Sequence, residues 1–318
     1  MKHLQELHLH LDGALRPATV WELLQKQGTD IPVHSLEETE KMMRVPEECK
    51  TLNEYLERFA LPGMVLQSEE ALERVTFELV EDLANLGLEY AEIRFAPQLH
   101  TAKGCTQGQI VEAAIRGAER GMKAYPQIRV GLILCMMRGI ENRAENFETI
   151  EMAKKYLGDV VCAVDIAGAE ALFGTELFED MFAKVREYGI PMTIHAGEAA
   201  GPESIWKALS YGTKRIGHGV TSIEDPELVK KLVDEKIALE VCVISNYHTK
   251  SAGTTELSKH PIRQLFDAGV HVTLNTDNMT VSNTTILKEI EVLKKELGFT
   301  DEELDQIGDY GYEARFLK

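Results

Sequence analysis

The chain has 318 residues and carries 52 acidic against 34 basic side chains, a formal charge of −18. Its 44% hydrophobic content suits a folded globular protein rather than a disordered one. The acid excess argues against a nucleic-acid polyanion or an anionic membrane as main partner and favours a neutral or cationic small molecule.

In chain order, the first apolar run, 4–10, reads as a strand and closes on His8-Leu9-His10. A long stretch follows in which helices are predicted near 17–27, 35–43 and 52–60. From Ser68 the positions Leu72, Val75, Leu79, Leu83 and Leu86 step by three and four, and Gly87 ends that helix. Further strands are predicted at 88–95, 128–135, 160–166, 190–195, 214–217, 237–242 and 270–275, most of them followed by a helix. Pro202 and Pro261 open helices that Gly212 and Gly269 close. Asp225 before Pro226 is an N-cap before an N1 proline. Thr300 and Glu303 have capping-box spacing.

Eight strands alternating with helices predict an α/β fold, a (β/α)8 TIM-type barrel. A doubly wound open sheet is the alternative, weakened because no G-x-G-x-x-G follows a strand and no P-loop is present. Length alone allows two domains. The barrel reading makes residues 1–318 one domain with a helical insertion at 14–86 over the catalytic face. That insertion reads either as a lid or as a plug of the rim. Cys49, Cys105, Cys135, Cys162 and Cys242 are scattered and form no C-x-x-C pair, so reduced thiols of a cytoplasmic protein are expected. The opening segment has no apolar signal core. The apolar stretch around Val130 to Met137 is too short to span a bilayer.

Side chains two apart on a strand share a face, so His8 and His10 can reach one metal ion. An H-x-H pair alone is weak, and incidental pairs are common. His195 ends the fifth strand in Thr193-Ile194-His195-Ala196-Gly197-Glu198, His218 ends the sixth, and Asp277 follows the eighth. Taken singly, each has a bland reading as a core histidine or a turn aspartate. Strand ends of such a barrel converge on one face, however, and together these residues suit zinc, which favours imidazole and carboxylate donors. His34, His100, His248 and His260 lack this context and are assigned to surface or packing roles.

Six ordered motifs, ELHLHLDGALRP, DIAGAE, TIHAGEAAGP, RIGHGV, VISNYHTKSA and LNTDN, resemble the adenosine deaminase branch of the amidohydrolase superfamily over about residues 4–290. The resemblance implies one zinc per chain, held by His8, His10, His195 and Asp277. It implies that Glu198 protonates purine N1, and that His218 orients the attacking hydroxide and helps deprotonate the water it comes from. Asp277 would serve twice, as ligand and as partner of that water. Asp12 would contact the ribose with His10 beside it, and the Gly168 N–H would meet N3. Asn278 stands where the family usually has a second aspartate facing N7. An asparagine amide donates to N7 without any protonation change, so adenine recognition survives. Val243 replaces the proline that commonly follows Cys242, with no catalytic consequence foreseen. The region after about Gly298 is short for the family and leaves a final helix in doubt.

The implied activity is zinc-dependent hydrolysis of adenosine and 2′-deoxyadenosine to the inosine products and ammonia in purine salvage, with a small-molecule purine nucleoside as partner and neither nucleic acid nor membrane; the oligomeric state is left open. Rivals are a deaminase of adenine or a 5′-modified adenosine, an amidohydrolase acting on an ester or amide, and a metal-binding barrel without catalysis. AMP ranks low because Arg16 is the only basic residue near the first motif.

Overall fold

In the computed structural model, which describes residues 1–27, 32–47, 49 and 51–318, all eight predicted strands form. β1 (Gln5–His10), β2 (Tyr90–Phe95), β3 (Arg129–Met137) and β4 (Val161–Ala167) pair in parallel in that order. So do β5 (Ile194–Ala196), β6 (Arg215–His218), β7 (Ala238–Val241) and β8 (His271–Leu274). Two seams join these halves into a (β/α)8 barrel. At one, Val164 bridges to Met192, and Thr193 N–H donates to the Val164 carbonyl at 3.1 Å. At the other, Leu9 bridges to Asp277; His10 N–H donates to the Asp277 carbonyl at 2.7 Å and Asp277 N–H to that of His8 at 2.9 Å. This second seam sets the H-x-H pair directly beside Asp277.

The stretch after β1 holds α1 (Pro17–Gln27), α2 (Leu36–Met43), α3 (Leu52–Leu56) and α4 (Ala60–Val65), and α5 (Glu69–Asn85) leads into β2. The helix expected at 52–60 is broken: residues 57–59 form a 3-10 turn between α3 and α4. Pro62 explains the break, because its ring would clash with the carbonyl four residues back in a continuous α-helix. The barrel continues with α6 (Gln107–Ala124), α7 (Arg143–Tyr156), α8 (Glu179–Glu187), α9 (Pro202–Ser210), α10 (Pro226–Asp234), α11 (Val243–Thr249), α12 (Ile262–Asp267), α13 (Ile286–Leu297) and α14 (Asp301–Ala314). The final helix left in doubt is therefore present. Thr300 caps α14 with its hydroxyl on Glu303 N–H while Glu303 returns to the Thr300 N–H, the reciprocal bonds of a capping box. Ser68 and Asp225 cap α5 and α10 as their spacing predicts. All five cysteines are free, and all but Cys105 are buried.

The inside of the barrel is charged. Arg94 lies at its centre, fully buried, with Nη1 on Asp165 (2.6 Å) and Nη2 on Glu240 (2.7 Å). Arg215 reaches Glu92 (2.6 Å) and the other oxygen of Glu240 (2.7 Å). Burial alone would raise Glu240, but the two guanidiniums hold its carboxyl well below the usual range.

Glu6 is the exception, a fully buried carboxyl outside these pairs. Burial pushes it up to about 8, despite a bond from Thr276 N–H at 3.0 Å. An unfolded-chain value of 4.5 means that folding takes up a proton between these limits. The stability it contributes is complete below the unfolded value and is lost as pH rises through about 8. Glu6→Gln keeps the acceptor and should flatten the fall in melting temperature across this window; an unchanged pH dependence would show that Glu6 does not titrate there.

Candidate active site

The C-terminal ends of β1, β5, β6 and β8 converge as a barrel demands. His8 and His10, two apart on β1, both face inward. His195 leaves β5, and His218 and Asp277 adopt left-handed backbone (φ 61° each) at the ends of β6 and β8. Left-handed conformation is costly for residues with a Cβ and collects at functional sites.

The ring nitrogens are set from behind. His8 Nδ1 lies 2.9 Å from Glu240 Oε2, and His195 Nδ1 lies 2.7 Å from Asp165 Oδ2. Burial would raise Asp165, yet His195 and Arg94 hold it well below the usual range. Two ionised carboxylates therefore keep hydrogen on both Nδ1 atoms and leave the Nε2 lone pairs of His8 and His195 turned inward. His8 Nε2 is buried without a hydrogen-bond partner among the described residues. His10 Nε2 faces His195 Nε2 at 3.2 Å and Asp277 Oδ1 at 3.4 Å. Asp277 keeps its charge: burial alone would raise it, but His8, His10 and His218 hold it far down. Ser245 donates to its other oxygen at 2.5 Å. Lone pairs converging on an orphaned buried nitrogen and an anionic carboxylate fit a divalent cation. Within this group, the ligand atoms of His8, His195, His218 and Asp277 all lie within 4.8 Å of one another.

Beside this cluster lies a cavity of about 290 Å³, walled by His10, Asp12, Gly168, His195, Glu198, His218, Asp277 and Asn278. Leu52, Tyr55, Leu56 and Phe59, from the stretch between β1 and β2, also line it. Tyr55 is tied down by a 2.6 Å hydrogen bond to Ser282. Glu198 is buried, and burial first, then the charges of Asp277 and Glu170, push its carboxyl well above the usual range. Burial likewise raises Asp12 to about 6, and its Oδ1 has no hydrogen-bond partner among the described residues. Gly13 must lack a side chain, since a Cβ there would stand 1.8 Å from Asn278 Oδ1. Among the described residues, the only Lys or Arg on the cavity wall is Arg138. Its N–H groups already go to the Phe173 carbonyl (2.7 Å), the His195 carbonyl (2.6 Å) and Thr175 Oγ1 (3.1 Å).

The adenosine deaminase family profile matches residues 4–318. The adenosine deaminase of Haemophilus ducreyi is 44% identical over 315 residues, covering 98% of this chain and 91% of that protein. The chain belongs to the adenosine deaminase family. The adenosine deaminase of Clostridium kluyveri is 38% identical, with 98% and 88% covered. Among solved structures, the adenine deaminase of Arthrobacter aurescens superposes with a TM-score of 0.91 at 25% identity, over 99% of this chain and 94% of that one. The N6-methyl-AMP deaminase of Arabidopsis thaliana gives 0.83 at 25% identity, over 99% and 92%. As a member of the adenosine deaminase family, the chain is a hydrolase acting on a cyclic amidine C–N bond.

The residues to which the motifs assign a ligand, acid or substrate-contact role lie on this cavity or in the cluster behind it. Arg16 does not: it turns away to Asp82 (2.5 Å) and Glu81 (2.7 Å). Sequence reasoning passed over Arg94, Asp165 and Glu240, which aim the histidines, and Glu170. The Glu170 carboxylate accepts from the backbone N–H groups of Gly197 (2.8 Å), Glu198 (3.0 Å), Ala199 (2.8 Å) and Ala200 (3.2 Å). It thereby fixes the loop that carries Glu198. Arg94 and Glu240 show in the sequence only as charges inside strand runs, which does not tell a buried residue from a solvated one. Among the described residues, no helix is long and apolar enough to cross a membrane.

Proposed function

We propose that this chain is a zinc-dependent adenosine deaminase of purine salvage, converting adenosine and 2′-deoxyadenosine with water to the inosine products and ammonia. The observation that carries it is the single cavity wall on which Glu198, held protonated by burial, shares space with the cation-ready cluster. His8, His10, His195 and Asp277 are the proposed ligands of one zinc ion. When bound, zinc makes water a competent nucleophile at neutral pH.

The remaining chemistry belongs to the chain. Glu198 donates its proton to purine N1 and drains charge from C6, the atom attacked. The Gly168 N–H meets N3, and the Asn278 amide donates to N7. Asp12, with an unpartnered oxygen on the wall, accepts from a ribose hydroxyl, with His10 beside it. His218 orients the attacking oxygen. The 14–86 insertion covers the sugar end within one barrel domain, 1–318. Among the described residues the one cation on the cavity wall, Arg138, is taken up by two backbone carbonyls and a hydroxyl, which favours a nucleoside over a nucleotide. Adenosine is preferred over free adenine because the relatives bearing the adenosine deaminase name are far more similar than the adenine deaminase.

The deciding assay follows the ultraviolet change with adenosine, 2′-deoxyadenosine, adenine and AMP. Conversion of both nucleosides with adenine and AMP inert is expected. Preferential turnover of adenine or AMP would overturn the substrate assignment. Asn278→Ala should weaken purine binding by about 1–3 kcal/mol with kcat little changed. Unaltered KM and kcat in that variant would remove the N7 contact.

A further inference from the structure

The family resemblance gives His218 a share in deprotonating the attacking water, but the hydrogen-bond chain behind its ring runs the other way. It begins at a backbone amide, which can only donate: Ile262 N–H points at Nδ1 of His260, 3.2 Å away. That Nδ1 is therefore an acceptor. Burial pulls the His260 ring down to about 3 and keeps it neutral, so its one hydrogen sits on Nε2. This Nε2 lies 3.3 Å from Asn246 Oδ1 and donates to it. The amide is thereby turned with its Nδ2 toward His218 Nδ1, at 3.0 Å. His218 Nδ1 must accept, and the hydrogen of the neutral ring is left on Nε2. That atom faces the cavity, 3.6 Å from Glu198 Oε2.

The three side chains are almost wholly buried, at 1%, 0% and 1% exposure for His218, Asn246 and His260. Bulk water has no access to rearrange the order. Turning the Asn246 amide round would set two donors face to face at His260, in a site where unmatched polar groups are costly. The direction of the whole chain is thus fixed by the peptide bond at Ile262.

We propose that Asn246 and His260 are positioning residues that lock His218 with its hydrogen on Nε2. His218 then donates a hydrogen bond to the attacking oxygen, and holds no lone pair there either to take a proton or to bind a metal. This also separates His218 from His10 among the candidate ligands. The identity of the attacking oxygen rests on the deaminase reading; the position of the hydrogen does not.

The test uses the zinc-loaded full chain labelled with 15N-histidine and long-range 1H–15N correlation, which distinguishes protonated from bare ring nitrogens. His218 is identified by the signals missing in His218→Gln. Wild type should show a protonated Nε2 and a bare Nδ1 at His218. His260→Gln, which retains a side-chain N–H, should keep that pattern and near-normal turnover. His260→Phe should bring up an Nδ1-protonated population and lower kcat about tenfold or more with KM unchanged. Hydrogen on Nδ1 of His218 in the wild type, or a His260→Phe spectrum identical to it, would overturn the proposal. Should His260→Phe fail to fold, the wild-type spectrum decides. A protein that deaminates no purine yet shows the Nε2–H ring would sink the functional reading and leave this one standing.

Discussion

Glu198→Gln should bind its metal and its purine and yet turn over about 10²–10⁴-fold more slowly, the usual worth of a positioned general acid. The amide is isosteric and can still hydrogen-bond, so the loop that Glu170 pins through four backbone N–H groups should not move. What is lost is a proton that can be given up. The same residue sets the alkaline side of the pH profile. Burial, then Asp277 and Glu170, hold the carboxyl well above its ordinary value, which favours the active, protonated form. Activity should fall as pH rises through that elevated pKa, and Glu198→Gln should lack this limb. Metal content and KM read alongside kcat separate the chemistry from misfolding. Near-normal turnover would take Glu198 out of the acid role.

The barrel was legible because the strands are short apolar runs alternating with helix patterns, and Gly87, Gly212 and Gly269 close the helices before β2, β6 and β8, signals that depend only on neighbours in sequence. His8, His10, His195, His218 and Asp277 were legible for a related reason: each sits at or just past the end of such a run, where the topology must bring it to one face, whereas the roles of Glu198 and Asn278 came from the resemblance of their motifs to the family. Arg94, Asp165 and Glu240 were not. Their meaning lies in pairings across the barrel, Arg94 with Glu240 146 positions away, and nothing local marks a strand arginine as buried rather than solvated. His260 has the same defect. Set aside as packing, it is indeed buried, but its ring bonds to the one side chain that touches Nδ1 of His218. The helix expected at 52–60 failed for a local reason that was readable, since Pro62 stands just beyond it.

Stripping the metal with a chelator should abolish turnover and lower the melting temperature, and His195→Ala should do both irreversibly. The centre is built around charge that a cation must balance. Asp277 stays ionised although buried, and His8 Nε2 has no partner among the described residues. Binding to the folded chain alone, at about 100 times the dissociation constant, adds about 2.7 kcal/mol, worth several degrees in a chain of this size. His195→Ala removes one inward lone pair and withdraws the partner of Asp165, which keeps Arg94 at 2.6 Å. The variant should therefore fold while failing to hold metal. Atomic absorption on dialysed protein, read beside the melting curve, decides the matter. A His195→Ala protein that retains one metal per chain would strike His195 from the ligand set and return His218 to it. Restoration of full activity to the stripped wild type by zinc, with the melting temperature recovering in step, is the result the geometry calls for. Recovery of the melting temperature without activity would mean that the cluster is a structural metal site and the deaminase chemistry lies elsewhere.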